Sequence, residues 1–238
     1  LMSCKPLHLF KESNKINPFL PWNKDLEVAS IEDKHILLLN KFPVQIGHML
    51  LITNYWAPQN GWLTLTDWKA LEKVNKDTTG LWFFNSSSEA GASQPHRHIQ
   101  LLRRSPKEKL CPRELWFDKF LDNNINEHTN ITKSAYITKI DSSALTYDYL
   151  YMKYLEACTN INIGNPKNNN KPLRPYNLII TNRWLFIIRR SKDCLRGFSI
   201  NALGFAGYLL ATEYSQLDWF YEKGPEYLLE RLVDPINK

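Results

Sequence analysis

The stretch Asn85-Ser-Ser-Ser-Glu-Ala-Gly-Ala-Ser-Gln-Pro-His-Arg-His-Ile-Gln100 joins a loop of small residues to a run of alternating polar and apolar side chains. On a β-strand, alternate side chains point to the same face, so His96, His98 and Gln100 are predicted to share one face, with neighbours roughly 6.5–7 Å apart. The loop residues Gly91-Ala92-Ser93 precede this strand, and such a loop brings backbone N–H groups close to an anion, as phosphate-binding nests do.

An imidazole beside such a loop is suited to nucleophilic attack on phosphorus. Neutral histidine is a good nucleophile near pH 7, because its unperturbed pKa is about 6.5. If one ring nitrogen donates to a carbonyl, the other presents its lone pair, and attack splits a difficult transfer into two easier steps. The loop amides, Ser93 and Gln100 are predicted to stabilise the charge on the non-bridging oxygens. The pattern therefore predicts group transfer through a phosphoramidate on histidine.

The surrounding segments predict an α+β fold with a mainly antiparallel sheet. Short apolar runs predict strands at residues 35–40, 48–53, 80–85, 96–102, 176–181 and 184–189, the last two as a hairpin. Thr64 to Asp67 resembles a capping box that begins a helix, and residues 145–161 carry an aromatic face at helical spacing. Because strands and helices do not alternate strictly, an α+β fold is favoured over a parallel sheet flanked by helices.

Other parts of the chain carry weaker signals. The patterns predict an irregular lead-in over 14–25, loops over 107–142, no assignment over 201–212 and a short helix over about 225–233. The segment 164–172, rich in Asn, Lys and Pro, predicts a mobile linker. It divides the chain into a catalytic domain over 1–163 and a C-terminal domain over 172–238.

The composition excludes several classes of protein. A 43% hydrophobic fraction with 8 Trp, 11 Tyr and 11 Phe excludes a largely disordered chain. No apolar run approaches the roughly 18 residues of a membrane span. The net charge of +6 is weaker than that of a dedicated nucleic-acid-binding protein. Four scattered cysteines without a CxxC pair predict reduced thiols, and the start of the sequence lacks a signal-peptide core, so we expect a cytoplasmic protein.

The same residues have less specific explanations. A His-x-His pair on a strand also supplies ligands to zinc, and His35 and His48 are candidates to complete such a site, although no Cys or carboxylate stands at matching spacing. A loop of small residues is more often an ordinary turn than a phosphate site. The aromatic residues leave an RNA-binding module open, for which the sequence carries no recognisable signature. The histidines and the loop together are more specific than either alone.

The run His96-Arg-His-Ile-Gln100 resembles the His-x-His-x-Gln motif of the nucleotidyltransferase branch of the histidine-triad superfamily. This branch includes galactose-1-phosphate uridylyltransferases and diadenosine tetraphosphate (Ap4A) phosphorylases, which are also ATP adenylyltransferases. The longer stretch from Gly91 to Gln100 is similar to the phosphorylases in particular. Further segments agree in chain order, namely Leu39-Asn-Lys-Phe-Pro-Val44, Tyr176-Asn-Leu178, Arg189-Arg-Ser191 and Asn201-Ala-Leu-Gly-Phe-Ala-Gly207. The resemblance covers most of the chain except about 107–142 and implies a histidine-triad-like fold.

The resemblance implies a role for individual residues. His98 is implied to be the nucleophile that becomes adenylylated, His96 to support it, and Gln100 to take the place of the third histidine of the triad. Contacts to the nucleotide and its phosphates are implied for Lys5, Asn40, Lys41, Asn85, Gly91, Ala92, Ser93, Gln94, Gln100, Asn201, Ala202 and Leu203. Simpler roles stay open for three of these, since Lys41 suits an edge strand, Asn85 a strand end and Asn201 the cap of a turn.

Two positions depart from the family pattern. After the second glycine of the C-terminal loop the pattern has Met, and four residues later Lys, whereas this chain has Tyr208 and Thr212. A lysine contact to the distal phosphate or to the second nucleotide is therefore in doubt, and with it the preferred length of the polyphosphate. Both positions are kept among the candidate substrate contacts.

The activity implied is cleavage of Ap4A by phosphate to ATP and ADP through an adenylyl-histidine, which in reverse is ATP adenylyltransferase activity. Hexose-1-phosphate uridylyl transfer on the same scaffold and a non-enzymatic metal-binding or RNA-binding module are the alternatives. The implied partners are small nucleotides and phosphate, with Mg²⁺ accompanying the substrate. We expect no organic cofactor, no metal held by the protein, no nucleic-acid or membrane partner, and a monomer.

Overall fold

The computed structural model describes residues 17–105, 107–125 and 129–236 of the 238-residue chain. The strands are β1 (Glu27–Ile31), β2 (His35–Leu39), β3 (His48–Thr53), β4 (Gly80–Asn85), β5 (His98–Arg103), β6 (Ala135–Lys139), β7 (Tyr176–Ile180), β8 (Trp184–Arg189), β9 (Cys194–Leu195) and β10 (Phe198–Ser199). The helices are α1 (Leu65–Asn75), α2 (Glu114–Leu121), α3 (Asn130–Ser134), α4 (Tyr147–Asn160), α5 (Ala202–Phe205) and α6 (Leu217–Glu230). Within these described ranges, every helix is too short or too polar to cross a membrane.

Eight strands form one antiparallel sheet in the order β1-β2-β3-β5-β4-β7-β8-β6, and β9 and β10 form a separate short hairpin. The predicted α+β class with a mainly antiparallel sheet is thereby confirmed. β4 pairs with β5 on one side and with β7 on the other, where Trp82 lies opposite Ile180. The sheet therefore continues from the N-terminal part of the chain into the C-terminal part.

Helices α1 and α4 cover one face of this sheet. Trp68 of α1 and Tyr154 of α4 pack with Ile99 and Leu101, the apolar side chains that alternate with the polar residues of β5. α1 begins at the predicted capping box, in which the carboxylate of Asp67 accepts a hydrogen bond from the backbone N–H at its N-cap position. The alternation of β5 thus sends its apolar residues into a large core and its polar residues to the opposite face.

The opposite face carries two separate apolar clusters. One contains Phe19 together with residues of β2 and β3, among them Leu50. The other contains Phe83 of β4, residues of β7 and β8, and residues of α2, α3, α5 and α6 that cover them. β5 lies between the two clusters, because its Gln100 stands opposite Leu50 on one side and opposite Phe83 on the other. The polar side chains of β5 therefore lie in a strip between two packed cores.

The structure confirms the predicted strands outside residues 107–142, with a regular β5 that begins at His98 instead of His96. The expectation of loops over 107–142 is wrong, because this segment forms α2, α3 and the edge strand β6. These elements are short and α2 buries only Phe117, so their apolar periodicity is weak. The unassigned stretch contains α5, and the C-terminal helix begins earlier than predicted, at Leu217, with a kink at Gly224.

The segment 164–172 is anchored to the N-terminal part of the chain. The indole Nε1 of Trp62 donates a hydrogen bond of 2.7 Å to the backbone O of Asn169. The side chain of Asn169 in turn accepts from the backbone N of Asn165 at 3.0 Å. These contacts fix a segment whose composition predicted mobility. The division of the chain into domains over 1–163 and 172–238 stays a prediction.

Two cysteines of the described residues are free thiols in the cores. Burial raises the pKa of Cys111 to about 12 and raises that of Cys158 further, so neither thiol ionises near neutral pH. Cys194 is in a disulfide bond. The expectation of reduced thiols is therefore confirmed for Cys111 and Cys158 and is wrong for Cys194.

Candidate active site

His98 is the first residue of β5, and only 2% of it is exposed. Its Nδ1 lies 2.8 Å from the backbone O of His96, so Nδ1 carries the proton and donates it to this carbonyl. Nε2 then carries the lone pair, and it has no hydrogen-bond partner among the described residues. Burial lowers the pKa of His98 to about 4. The hydrogen bond to the carbonyl of His96 acts in the opposite direction, because it stabilises the cation, but its effect is smaller. Near neutral pH the ring is uncharged and has a defined tautomer, as a nucleophilic imidazole requires.

His96 has both ring nitrogens engaged with the protein. Its Nδ1 accepts from the side-chain amide of Asn17 at 2.9 Å, and its Nε2 donates to the backbone O of Thr53 at 2.8 Å. The rings of Phe19 and Trp56 stand edge-on to it, with ring centroids 5.6 and 5.5 Å away. With no free lone pair, this imidazole suits the predicted supporting role. Asn17 and Phe19 lie in the segment that the sequence predicts only as an irregular lead-in.

Gln100 is held by a second buried histidine. Its side-chain O accepts from Nε2 of His48 at 3.0 Å, and Nδ1 of His48 lies 3.2 Å from the amide nitrogen of Asn40. Burial lowers the pKa of His48, although the bond to Gln100 raises it, so this ring is neutral too. Because the O of Gln100 is occupied, its NH₂ group is left to donate to a ligand. The structure thus brings Asn40 to this site, but through His48.

The loop before β5 offers two unused backbone amides. The N–H groups of Gly91 and Ala92 donate within the loop, to the O atoms of Ser88 and Ser87 at 2.8 and 2.9 Å. Those of Ser93 and Gln94 have no partner in the part of the chain that the structure describes. The donors suited to an anion are therefore the N–H groups of Ser93, the last residue of the predicted run Gly91-Ala92-Ser93, and of Gln94, which follows it. The N–H groups of Gly91 and Ala92 are already used within the loop.

The loop before β5 packs directly against the C-terminal loop. Gly91 has a φ of 85°, and a Cβ at this position would lie 2.8 Å from both the backbone O of Ile200 and the Cβ of Asn201. Only glycine fits such a position, on account of both its φ and the space. The structure thus brings together Gly91 and Asn201, as the resemblance implies.

The backbone of the C-terminal loop is already bonded to the protein. The side-chain O of Asn85 accepts from the backbone N of Ala202 at 2.9 Å, and that of Asn201 accepts from the backbone N of Leu203 at 2.9 Å. Asn201 is thus the N-cap of α5, and Asn85 at the end of β4 joins the two loops. For these four residues the observed contacts are architectural, and substrate contact stays a prediction.

A buried arginine supports this junction, although no pattern in the sequence predicts a role for it. The guanidinium of Arg190 donates to the side-chain O of Asn177 at 2.5 Å and to the backbone O of Ile200 at 2.9 Å. Asn177 donates to Asn85 and to the O of Ala90, both at 2.8 Å. Burial lowers the pKa of Arg190 to about 9, so it stays a cation at neutral pH. The one sequence feature that could have indicated the buried position of Arg190 is that it directly follows the buried apolar strand β8.

Three predicted substrate contacts, Lys41, Tyr208 and Thr212, make no hydrogen bond to the described residues around His98. Lys41 is exposed, with its ammonium 5.8 Å from the ring of Phe42. The hydroxyl of Tyr208 accepts a hydrogen bond from the guanidinium of Arg104. The backbone N of Thr212 donates to a serine hydroxyl in its own turn. Lys5 lies outside the described residues.

The two histidines considered for a metal site belong to different networks. Nε2 of His35 donates to Asp67 at 2.9 Å on the face covered by α1, whereas His48 binds Gln100 on the other face. Although burial alone would raise it, the pKa of Asp67 is lowered, because His35 and the guanidinium of Arg97 bind the carboxylate. Within the residues that the structure describes, no three His, Cys, Asp or Glu side chains converge as a metal site.

Two family models match this chain end to end. The model of the Ap4A phosphorylase N-terminal domain matches residues 6–116, and that of the ATP adenylyltransferase C-terminal domain matches residues 115–235. Fold and site together define a nucleotidyltransferase. The chain belongs to the Ap4A phosphorylase (ATP adenylyltransferase) family.

Similar proteins are known from baker's yeast. Protein APA1 of Saccharomyces cerevisiae is 27% identical over 217 residues, covering 83% of this chain and 67% of that protein. Diadenosine 5',5'''-P1,P4-tetraphosphate phosphorylase 2 of the same species is 25% identical over 237 residues, covering 87% and 72%.

The fold is shared with solved structures as well. The crystal structure of yeast Ap4A phosphorylase Apa2 matches with a TM-score of 0.72 and 22% identity, covering 92% of this chain and 79% of that chain. The complex of Apa2 with Ap4A matches with a TM-score of 0.69 and 21% identity, covering 94% and 82%. These matches show the same fold.

Proposed function

We propose that this protein cleaves Ap4A with inorganic phosphate to ATP and ADP through an adenylyl-histidine, and that it catalyses the reverse reaction. The observation that supports this most directly is the geometry of His98, whose Nδ1 is bonded to a carbonyl while Nε2 is unoccupied. Membership of the Ap4A phosphorylase family supplies the substrate class. The yeast relative named as an Ap4A phosphorylase agrees with it.

In the first step, Nε2 of His98 attacks the α-phosphorus of Ap4A. The N–P bond forms, the bridging P–O bond breaks, and ATP leaves. No proton moves, because the proton of Nδ1 stays on the ring, which becomes cationic in the adduct. The carbonyl of His96 accepts from that proton at 2.8 Å in the free protein and stabilises the charge as it develops.

The charge on the transferred phosphoryl group needs hydrogen-bond donors more than it needs an acid. The NH₂ group of Gln100, on the same strand as His98, and the backbone N–H groups of Ser93 and Gln94, in the loop before β5, are donors without a partner among the described residues. Donors that are already in place stabilise a transition state without reorganisation. The leaving group is a polyphosphate, bound as its Mg²⁺ complex, so its departure needs little help from a general acid.

In the second step, inorganic phosphate attacks the same phosphorus and the N–P bond breaks. ADP leaves, and the lone pair returns to Nε2, so the ring is neutral again. The burial of His98 beneath Phe19, whose ring centroid is 5.5 Å away, limits access of water to the adduct. A monomeric state and a cytoplasmic location stay predictions.

The decisive test is to look for the covalent intermediate. Enzyme mixed with Ap4A in the absence of phosphate, then quenched, should carry an added mass of about 329 Da, AMP less water, on the peptide that contains His98. His98→Ala should bind AMP within about tenfold of the wild type but form neither adduct nor product, because binding is spread over other contacts. UDP-glucose as the donor should leave no UMP adduct. Product formed without an adduct, or a UMP adduct from UDP-glucose, would contradict the proposal.

A further inference from the structure

Strands β4 and β5 separate where the nucleophile begins. Their last paired residues are Phe83 and Gln100, and the two positions that would follow in register, Phe84 with Ile99 and then Asn85 with His98, are not paired. The side-chain amide of Gln59 lies between them. Its NH₂ donates to the O of Asn85 at 2.7 Å and to the O of His98 at 3.3 Å, and its O accepts from the N–H of His98 at 2.9 Å. One side chain thus replaces the missing hydrogen bonds of the sheet.

Gln59 itself is rigidly held. It is 3% exposed, and its backbone N donates to the O of Pro95 at 2.8 Å. The guanidinium of Arg97, the residue between the two histidines, donates to the O of Pro58 at 3.1 Å. A Cβ on Gly61 would lie 2.5 Å from that guanidinium, so the turn packs tightly on it.

We propose that Gln59 is a positioning residue that holds the main chain of His98 so that Nε2 faces the substrate phosphorus. This inference rests on the proposed function and goes beyond it, since Gln59 touches none of the reacting atoms. It acts through His98 and through the strand end that carries Asn85. Small displacements of a nucleophile have large kinetic effects, about 100-fold for 1 Å.

The first variant, Gln59→Met, keeps the length of the side chain and removes its three hydrogen bonds. We expect formation of the AMP adduct to slow by about 10- to 100-fold. The Kd for AMP should stay within about threefold, because Gln59 is 3% exposed and its side-chain amide is bonded to the main chain of Asn85 and His98. Rapid-quench kinetics and titration with AMP separate the two effects, and thermal unfolding shows that the variant is folded.

The second variant, Gln59→Glu, provides a readout that a purely structural role would not change. A protonated carboxyl accepts from the N–H of His98 and donates to the O of Asn85, whereas an ionised carboxylate only accepts and repels both carbonyls. Burial raises the pKa of a carboxyl, so lowering the pH from about 8 to about 6 should increase the rate of Gln59→Glu relative to the wild type by about tenfold. The amide of the wild type does not titrate, and the pKa of His98, at about 4, lies below this range.

The matched control is Gln216→Glu, which makes the same chemical change at an exposed residue near the start of α6. Its rate relative to the wild type should be the same at both pH values, and Gln59→Glu should be folded at both. If the wild type forms no AMP adduct, the proposed function fails and this inference fails with it. If the wild type forms the adduct and both Gln59 variants match its rate at both pH values, only the inference on Gln59 is overturned.

Discussion

At the scale of single residues, the properties of the site come from the surroundings of three buried histidines. His98, His96 and His48 all have a lowered pKa, and burial is the largest cause for each. Each ring is neutral and each has a fixed tautomer, because a backbone or amide partner occupies one of its nitrogens. Only His98 keeps a free lone pair. The three histidines therefore differ in whether a ring nitrogen is free, and this difference comes from their hydrogen-bond partners.

This burial has a consequence for stability against pH. The pKa of His98 is about 4 in the folded state and about 6.5 in the unfolded chain, so the unfolded chain binds more protons in between. The free energy of unfolding should fall by roughly 3 kcal/mol on account of His98 as the pH drops from 6.5 to 4. Above pH 6.5 the stabilising contribution of the neutral His98 is present in full. Urea unfolding of the wild type and of His98→Gln at both pH values measures this difference. Equal pH dependence in the two proteins would refute it.

We expect the residue in the third position of the motif, Gln100, to influence which acceptor is used. Gln100 binds His48 through its O and can only donate through its NH₂. A histidine at this position can carry charge or shuttle a proton to water. We therefore expect Gln100→His to increase hydrolysis of the adduct to AMP relative to phosphorolysis to ADP. The measurement is the AMP to ADP ratio with phosphate present and absent, and an unchanged ratio would disprove this role.

Part of the site could be predicted from sequence because its geometry is local. The period of a strand places His98 and Gln100 on one face without any knowledge of the rest of the fold. Gln59 and Asn17 could not be found in this way, because they reach the histidines from far along the chain. Their separations, 39 residues from Gln59 to His98 and 79 from Asn17 to His96, leave no periodic trace in the sequence.

At the scale of elements, the loop before β5 and the C-terminal loop form one unit. Gly91 allows the close approach, Asn85 bonds to the N-terminus of α5, and Arg190 connects β8 to both loops through Asn177 and Ile200. A buried cation with this many backbone and amide partners is costly to remove, because its partners would be left unsatisfied. The arrangement of the two loops thus depends on β7 and β8 as well as on β5.

The variant Gly91→Ala tests this packing. The added Cβ meets backbone at 2.8 Å, and a φ of 85° is strained for alanine, so the two loops must move apart. We expect a loss of about 1–3 kcal/mol in the free energy of unfolding and a Kd for AMP raised by about tenfold.

The control for this experiment is Gly224→Ala. Gly224 has a similar φ of 78°, but a Cβ there meets nothing within 4 Å. It should show the cost of backbone strain alone and bind AMP as the wild type does. A Gly91→Ala protein that binds AMP normally would show that the loops do not need this contact.

Prediction from sequence was less successful for elements whose stability depends on partners. β6 is an edge strand of partly buried residues, and α3 has five residues, so neither carries a full apolar period. α5 has four residues, and its cap contacts and its burial against β4 and β7 come from the fold. By contrast, α1 was predictable, because the capping box and the apolar spacing lie within the same short segment.

At the scale of the whole molecule, one sheet joins the regions matched by the two family models. β4, from the N-terminal region, is hydrogen-bonded to β7, from the C-terminal region, and Leu81 and Phe83 of β4 are buried in the cluster covered by α5 and α6. The side chains at the site come from both regions. The positions of His98 and of the two loops beside it therefore depend on the complete sheet.

A fragment of residues 1–163 should not fold stably on its own. It would expose the side chains of β4 that β7 and the C-terminal helices cover, each worth about 1.5–3 kcal/mol when buried. We expect no cooperative unfolding transition by circular dichroism, and recovery of one when a fragment of residues 172–238 is supplied. A cooperative transition of the first fragment alone would show that residues 1–163 are an independent domain.

The contact between Trp56 and His96 gives this protein an intrinsic optical signal. The indole is 55% exposed at the surface, while its ring stands 5.5 Å from an imidazole of the site. Fluorescence of an exposed indole responds to its neighbours and is accessible to a dissolved quencher, whereas the indoles of Trp68, Trp82 and Trp184 are shielded in the interior. We therefore expect nucleotide binding beside His96 to change the fluorescence of Trp56, which a stopped-flow instrument follows without any attached dye.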